Sequence, residues 1–143
     1  MNSLVGIDPG THTGIAFWNP QTQKIDALKT LDFWSTIRMF NSQQYLKEVK
    51  SFYIEDPKQI KPIFGQKQMA RNSAIAKAQS VGAVKREAEL LIQGLRAMGH
   101  HVVAVKPSQS KLPQKQFSVM TGHYATTNQH QRDAAMLVFG RKK

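Results

Sequence analysis

The sequence contains no cysteine, which removes disulfide bridges and thiolate metal centres from consideration and fits a reducing cytoplasm. No stretch approaches the ~20 apolar residues that a membrane-spanning helix needs. The opening Met1-Asn2-Ser3-Leu4-Val5 lacks the charged start and apolar run of a secretion signal. The expectation is therefore a cytoplasmic protein without membrane contact. Acidic side chains are scarce: nine Asp and Glu face twenty Lys and Arg, a net charge of +11 and a pI near 10.1. Such a balance favours a polyanionic partner, most often nucleic acid, over a small-molecule substrate; the plainer alternative is a basic surface that only confers solubility. Because carboxylates are few, their positions carry information.

The 143 residues suit one domain, residues 1–143, with an ordinary hydrophobic share of 41%. Ser3 to Asp8 reads as a buried strand ending on a carboxylate, and Pro9-Gly10-Thr11-His12 as a turn. Thr13 to Trp18 and Lys24 to Leu31 read as two further strands around the turn Asn19-Pro20-Gln21-Thr22, with Ile25, Ala27 and Leu28 as the inward candidates of the third. Trp34 to Val49 has helical spacing weakened at Asn41-Ser42, and Phe52-Tyr53-Ile54 is a short buried strand ending at Glu55-Asp56-Pro57. The strongest helix runs from about Asn72 to Met98, with apolar residues spaced by threes and fours and Gly99 as its stop. His101 to Lys106 is a β-branched strand; Pro113 to Thr121 and Gln129 to Phe139 close the chain as helices. The order predicts an α/β protein: one mixed five-stranded sheet, three antiparallel strands then two parallel, flanked by helices on both faces.

Three carboxylates stand in unusual places. Asp8 and Glu55 each end an apolar strand, and Asp133 precedes Ala134-Ala135-Met136-Leu137-Val138 on the last helix. A lone charge is costly beside such segments. Two carboxylates ~4–5 Å apart repel by about 3–4 kcal/mol at an effective dielectric near 20. A divalent cation removes that penalty, and hard oxygen donors suit Mg²⁺ or Mn²⁺. Two such ions about 3.5–4 Å apart can activate water and stabilise a leaving oxygen in phosphodiester hydrolysis. Taken singly, the three have plainer readings: Asp8 as a turn cap, Glu55 as an ion-pair partner, Asp133 as a helix cap or first-turn residue. His130 lies three residues before Asp133, on the same helical face, as a fourth ligand or as a surface histidine. Asp56 competes with Glu55, since the two point to opposite faces of a strand.

Gly6-Ile7-Asp8-Pro9-Gly10-Thr11-His12-Thr13-Gly14-Ile15-Ala16 resembles the opening of the RuvC Holliday junction resolvases. Tyr53-Ile54-Glu55 is similar to that family's second acidic strand, and His130-Gln131-Arg132-Asp133-Ala134-Ala135 to its closing H-x-x-D-A or D-x-x-D-A helix. Ala78-Gln79-Ser80-Val81-Gly82 resembles the turn of the family's long dimer helix that contains Gln and Gly. The motifs keep the family's order across nearly the whole chain. The resemblance implies an RNase H-like fold and a homodimer with two active sites. It further implies Mg²⁺-dependent paired nicking of branched DNA, with two ions per site and Mn²⁺ as a substitute. Asp8, Glu55, His130 and Asp133 carry over as the metal and catalytic set, and the match favours Glu55 over Asp56. The chain is shorter than typical bacterial members, which suggests a phage or viral relative.

For DNA contacts, Lys58, Lys61, Lys67 and Arg71 flank Glu55 in sequence, and Lys106, Lys111 and Lys115 follow the fifth strand. Lys111 and Lys115 loosely match basic positions of the family. In that family an aromatic after the second acidic strand wedges into the junction centre; Phe64 is the candidate, with a packed loop aromatic as the alternative. Gly82 costs about 1 kcal/mol inside a helix, so close packing there is expected, against the sheet or against a second copy. Two other classes compete with a nuclease. One is a non-catalytic branched-DNA-binding module of the same fold. The other is a sugar-kinase or actin-like ATPase fragment, whose phosphate loop Asp8-Pro9-Gly10 and Thr13-Gly14 mimic.

Overall fold

The computed structural model describes residues 2–57, 71–108 and 111–142, with backbone alone for 71–81. Strands β1 (Ser3–Asp8), β2 (Thr13–Asn19) and β3 (Lys24–Leu31) form an antiparallel meander. Helices α1 (Phe33–Phe40) and α2 (Gln43–Glu48) lead to β4 (Val49–Glu55), which lies parallel to β1. The long α3 (Arg71–Ala97) crosses to β5 (Val102–Val105), parallel to β4, and α4 (Gln114–Thr121) and α5 (Gln129–Val138) complete the chain. The sheet order is β3-β2-β1-β4-β5. Among the described residues no helix is long and apolar enough to cross a membrane.

The helix expected over 34–49 is two helices. Ser42 accepts a hydrogen bond from the Gln44 amide and starts α2 afresh, while Asp32 caps α1 by accepting from the Ser35 amide at 2.7 Å. The fourth strand is longer than Phe52-Tyr53-Ile54 because Val49 already pairs with Ser3. In β3, Ile25 and Leu28 pack into the same core although three residues apart, and a bulge is the reason. The register steps from Phe17–Ala27 to Trp18–Ile25, which leaves Asp26 as the extra residue and restores the alternation.

Two cores sandwich the sheet. On one face Val5, Ile7, Ile15, Phe52 and Ile54 meet Phe40 of α1 and Leu91, Ile92 and Leu95 of α3. On the other, Leu4, Ala16 and Trp18 meet Phe117 of α4 and Ala134, Ala135 and Val138 of α5. Gly82 is exposed, and a Cβ placed there would meet nothing within 4 Å, so packing against the sheet is not what it serves.

Candidate functional site

The period of two along β1 sends Val5 and Ile7 into the first core and leaves Gly6 and Asp8 under α5. Along β4, Phe52 and Ile54 enter that same core, so Tyr53 and Glu55 face α5. Ile7 pairs with Ile54, which brings Asp8 level with Glu55 across two parallel strands. Asp56 lies beyond the end of β4, its amide bonded to the Val105 carbonyl. The choice that the motif alone left open thus falls on Glu55 as the neighbour of Asp8.

The helix reaches this strand end because two glycines let it. A Cβ on Gly6 would collide with the Ala134 carbonyl, and one on Gly14, the cross-strand partner of Asp8, with the His130 carbonyl. The α5 backbone therefore rests directly on the sheet, and its first turns carry His130 and Asp133 to the carboxylates. Asn128 fixes the start of the helix. It forms a capping box with Gln131, and its side-chain amide donates to Thr30 Oγ1 of β3 at 2.8 Å.

Asp8, Glu55 and Asp133 sit within electrostatic reach of one another. Burial pushes the Asp8 carboxyl up to about 6; the Asp133 charge adds to this, while the hydrogen bond with Glu55 opposes it. Burial likewise pushes Glu55 up to about 7, helped by the Asp8 charge and by the hydrogen bond that Glu55 gives to Asp8. Both strand-end carboxyls are thus held toward their protonated forms, as like charges are when forced together out of water. His130 Nδ1 stands 3.5 Å from Asp8 Oδ2, and its ring centroid lies 6.1 Å from that of His12. Asp133 is held on both oxygens: Gln129 Nε2 donates to Oδ1 at 2.7 Å, and Lys111 Nζ to Oδ2 at 2.5 Å. The Asp133 carboxylate in turn holds the Lys111 ammonium above its usual value.

Thr13 closes the turn after Asp8 by donating to the Gly10 carbonyl, Glu55 pairs with another acid, and the cap of α5 is Asn128 and not Asp133. Lys106 and Lys115 are exposed, Lys106 on the wall of a cleft of ≈ 130 Å³ that Glu55, Asp133 and Arg141 also line. Arg71 opens α3, but its side chain lies outside the described residues, as do Lys58, Lys61, Phe64 and Lys67. Sequence reasoning missed Gly6, Gly14, Gln129 and Arg141. It also missed Arg132, whose guanidinium ties the Leu112 and Thr127 carbonyls and Gln129 Oε1 together and so holds the Lys111 segment against α5. The glycines were present in the opening motif, and their close approach to a helix was the signal.

As the side chains lie, no three of the described His, Asp and Glu residues are gathered to hold a metal ion. The donor set nevertheless fits a hard divalent cation. Burial penalises the bare charge of Asp8 and of Glu55, the Asp133 carboxylate lies within electrostatic reach of both, and an imidazole stands beside Asp8. Occupation would require Asp8 and Glu55 to be deprotonated and Lys111 to release Asp133.

No protein-family model matches the chain, and no curated protein does. Among solved structures, Thermus thermophilus RuvC in complex with a Holliday junction substrate is similar, with a TM-score of 0.55 at 15% identity over 97% of this chain and 91% of that one. The chain has the RNase H-like fold. A further structure of Thermus thermophilus RuvC superposes with a TM-score of 0.48 at 17% identity, covering 96% and 91%. The RNase H-like sheet accounts for the placement of the acids, since its two central parallel strands end side by side under the last helix.

Proposed function

We propose that the chain is a metal-dependent, structure-selective endonuclease that resolves four-way DNA junctions, working as a homodimer on DNA in the cytoplasm. One observation carries this reading: three of only nine acidic residues, from β1, β4 and α5, converge at one sheet end of a chain with net charge +11. A polyanion is the partner such a surface attracts, and a buried acidic cluster on it calls for a cation between protein and phosphate. The fold shared with a RuvC that binds a Holliday junction supports a branched substrate.

Asp8, Glu55 and Asp133 would hold Mg²⁺ or Mn²⁺, with His130 beside Asp8 to orient a ligand or water. The metal would supply Lewis-acid activation of water and relief of charge on the leaving oxygen. The protein's own residues do the rest. Gly6 and Gly14 set the height of α5, Gln129 and Arg132 fix Asp133 and the Lys111 segment, and Lys106, Lys111 and Lys115 face the backbone of the DNA. The exposed Gly82 and Ala83 of α3 leave room for a second copy, which suits a two-fold symmetric junction.

The test is a synthetic four-way junction incubated with Mg²⁺ and, in parallel, with EDTA. Cleavage is expected only with Mg²⁺. D8N and E55Q are expected to lose about 10³-fold or more in rate, on the scale of losing a charge-stabilising group, while still binding the junction. Full cleavage by both variants refutes the site. The Lys111–Asp133 pair favours a second reading, a branched-DNA-binding module without catalysis, and junction binding with no cleavage in any divalent metal would select it.

A further inference from the structure

We infer that Arg141 is a phosphate-binding residue of this site, gripping the nucleic-acid backbone beside the phosphodiester presented to Asp8 and Glu55; the inference rests on the nuclease reading. Arg141 follows the end of α5, where Gly140 takes a left-handed φ of +75° and the Arg141 amide returns to the Val138 carbonyl. That reversal, open to glycine at little cost, turns the chain back onto the sheet. The Arg141 carbonyl then accepts from the Trp18 indole at 2.9 Å and from the Gln23 amide at 3.1 Å, which pins the backbone.

The side chain is held as firmly. Its Nε donates to the Leu137 carbonyl at 2.7 Å, and the guanidinium lies 4.0 Å from the centroid of the Tyr53 ring. Tyr53 precedes Glu55 by two residues on the same face of β4, so the stack sets the cation in the wall of the cleft that Glu55, Asp133 and Lys106 share. An arginine beside two acids would ordinarily pair with one. Among the described residues neither Arg141 nor Lys106 forms an ion pair, and no hydrogen bond engages the two terminal nitrogens of Arg141. A pre-oriented planar fork with free donors matches a phosphate, and Lys106 adds a point charge beside it. The carboxylates in the same walls repel a small free anion, so the occupant is a phosphate delivered on a polymer. A purely structural role for Arg141 explains the Nε bond and the stack but not why, among the described residues, its two terminal nitrogens are left for an acceptor beside Lys106.

The test uses the full chain with a four-way junction and Ca²⁺ in place of Mg²⁺, reading affinity across a salt series. R141Q is expected to weaken binding about tenfold and to lower the slope of log affinity against log salt by about one. R141K is expected to keep the slope but recover only part of the affinity, because it lacks the fork. Lys142→Gln, one residue on, controls for generic charge and is expected to change affinity by less than twofold. In single-turnover cleavage with Mg²⁺, R141Q should raise the half-saturating enzyme concentration far more than it lowers the saturated rate. Wild-type affinity and slope in R141Q, or an equal loss in Lys142→Gln, overturns the inference. Should R141Q fail to fold, R141K decides, and recovery of full affinity by R141K overturns the fork. Failure of the wild type to bind or cut any junction is a different result and overturns the nuclease reading itself.

Discussion

The two faces of the sheet are packed on opposite terms. Under α1 and α3 the space is filled by large side chains: Phe40 and Phe52 meet edge to face at 4.8 Å, Phe40 and Tyr45 at 5.2 Å, and Leu91 and Leu95 are fully buried beside them. On the other face Trp18, Leu4 and Phe117 fill one region, but where α5 crosses Gly6 and Gly14 the strands offer it no side chain. The helix backbone rests on Gly6 and Gly14, and its buried residues include Ala134 and Ala135. The first face derives its value from volume, which repacks and yields stability. The second derives it from height. A helix held at backbone contact places His130 and Asp133 beside Asp8, and any added atom lifts it away.

Truncation separates the two. Phe52→Ala removes a ring from the bulky face and is expected to cost about 3–5 kcal/mol in urea unfolding, the largest stability effect foreseen. Its rate of junction cleavage per folded molecule should stay near wild type. Gly14→Ala should cost less stability, about 1–3 kcal/mol as an overpacking change. Cleavage should fall about 100-fold, because a displacement near 1 Å at a reacting centre has that effect. The order of the two variants therefore reverses between the unfolding assay and single-turnover cleavage. If Gly14→Ala cleaves as fast as wild type, α5 is not held by backbone contact and the contrast between the faces fails.

How much of this was legible in the sequence follows from the range of the forces involved. Strand ends, turns and the long helix are local, written in alternation, Gly and Pro, and all five strands arise where that pattern put them, although β4 begins already at Val49. Asp8 and Glu55 were legible because each interrupts an apolar run at a strand end. What the pattern could not carry is pairing at a distance. That β1 lies against β4 has no local signature and becomes a register only in the fold. The break at Asn41-Ser42 turned on whether Ser42 would cap a new helix, which a weak spacing does not decide. The hold on Asp133 by Lys111, and the stack of Arg141 on Tyr53, join residues 22 and 88 positions apart with no periodic trace. Arg141 in particular lies past the last helix, outside every motif that the sequence offered.

The smallest expected effect tests whether the acids of the α5 face are held toward their protonated forms by burial and by one another. In the unfolded chain Asp8 and Glu55 titrate near 3.8 and 4.5; in the fold they are pushed up to about 6 and about 7. Between those values the folded state binds more protons than the unfolded one, so stability falls as pH rises. The loss begins near pH 4, ends near pH 7 and is flat above. Asp32 works the other way, because its carboxylate is held low by the Ser35 amide, but its contribution is lost only as pH falls below about 4, outside this window. A carboxyl whose titration moves by one pH unit on folding contributes about 1.4 kcal/mol before solvent screening. Both groups are partly solvated, so about 1–2 kcal/mol in total is a reasonable expectation. In thermal unfolding with EDTA that is a drop of roughly 5 °C between pH 4.5 and 7.5. D8N should lessen the slope, since the Asp8 titration is removed and Glu55 keeps its burial but loses the neighbouring charge, whereas Phe52→Ala should lower every Tm and leave the slope intact. A D8N curve as steep as wild type would show that the pH dependence arises elsewhere than at these two strand ends.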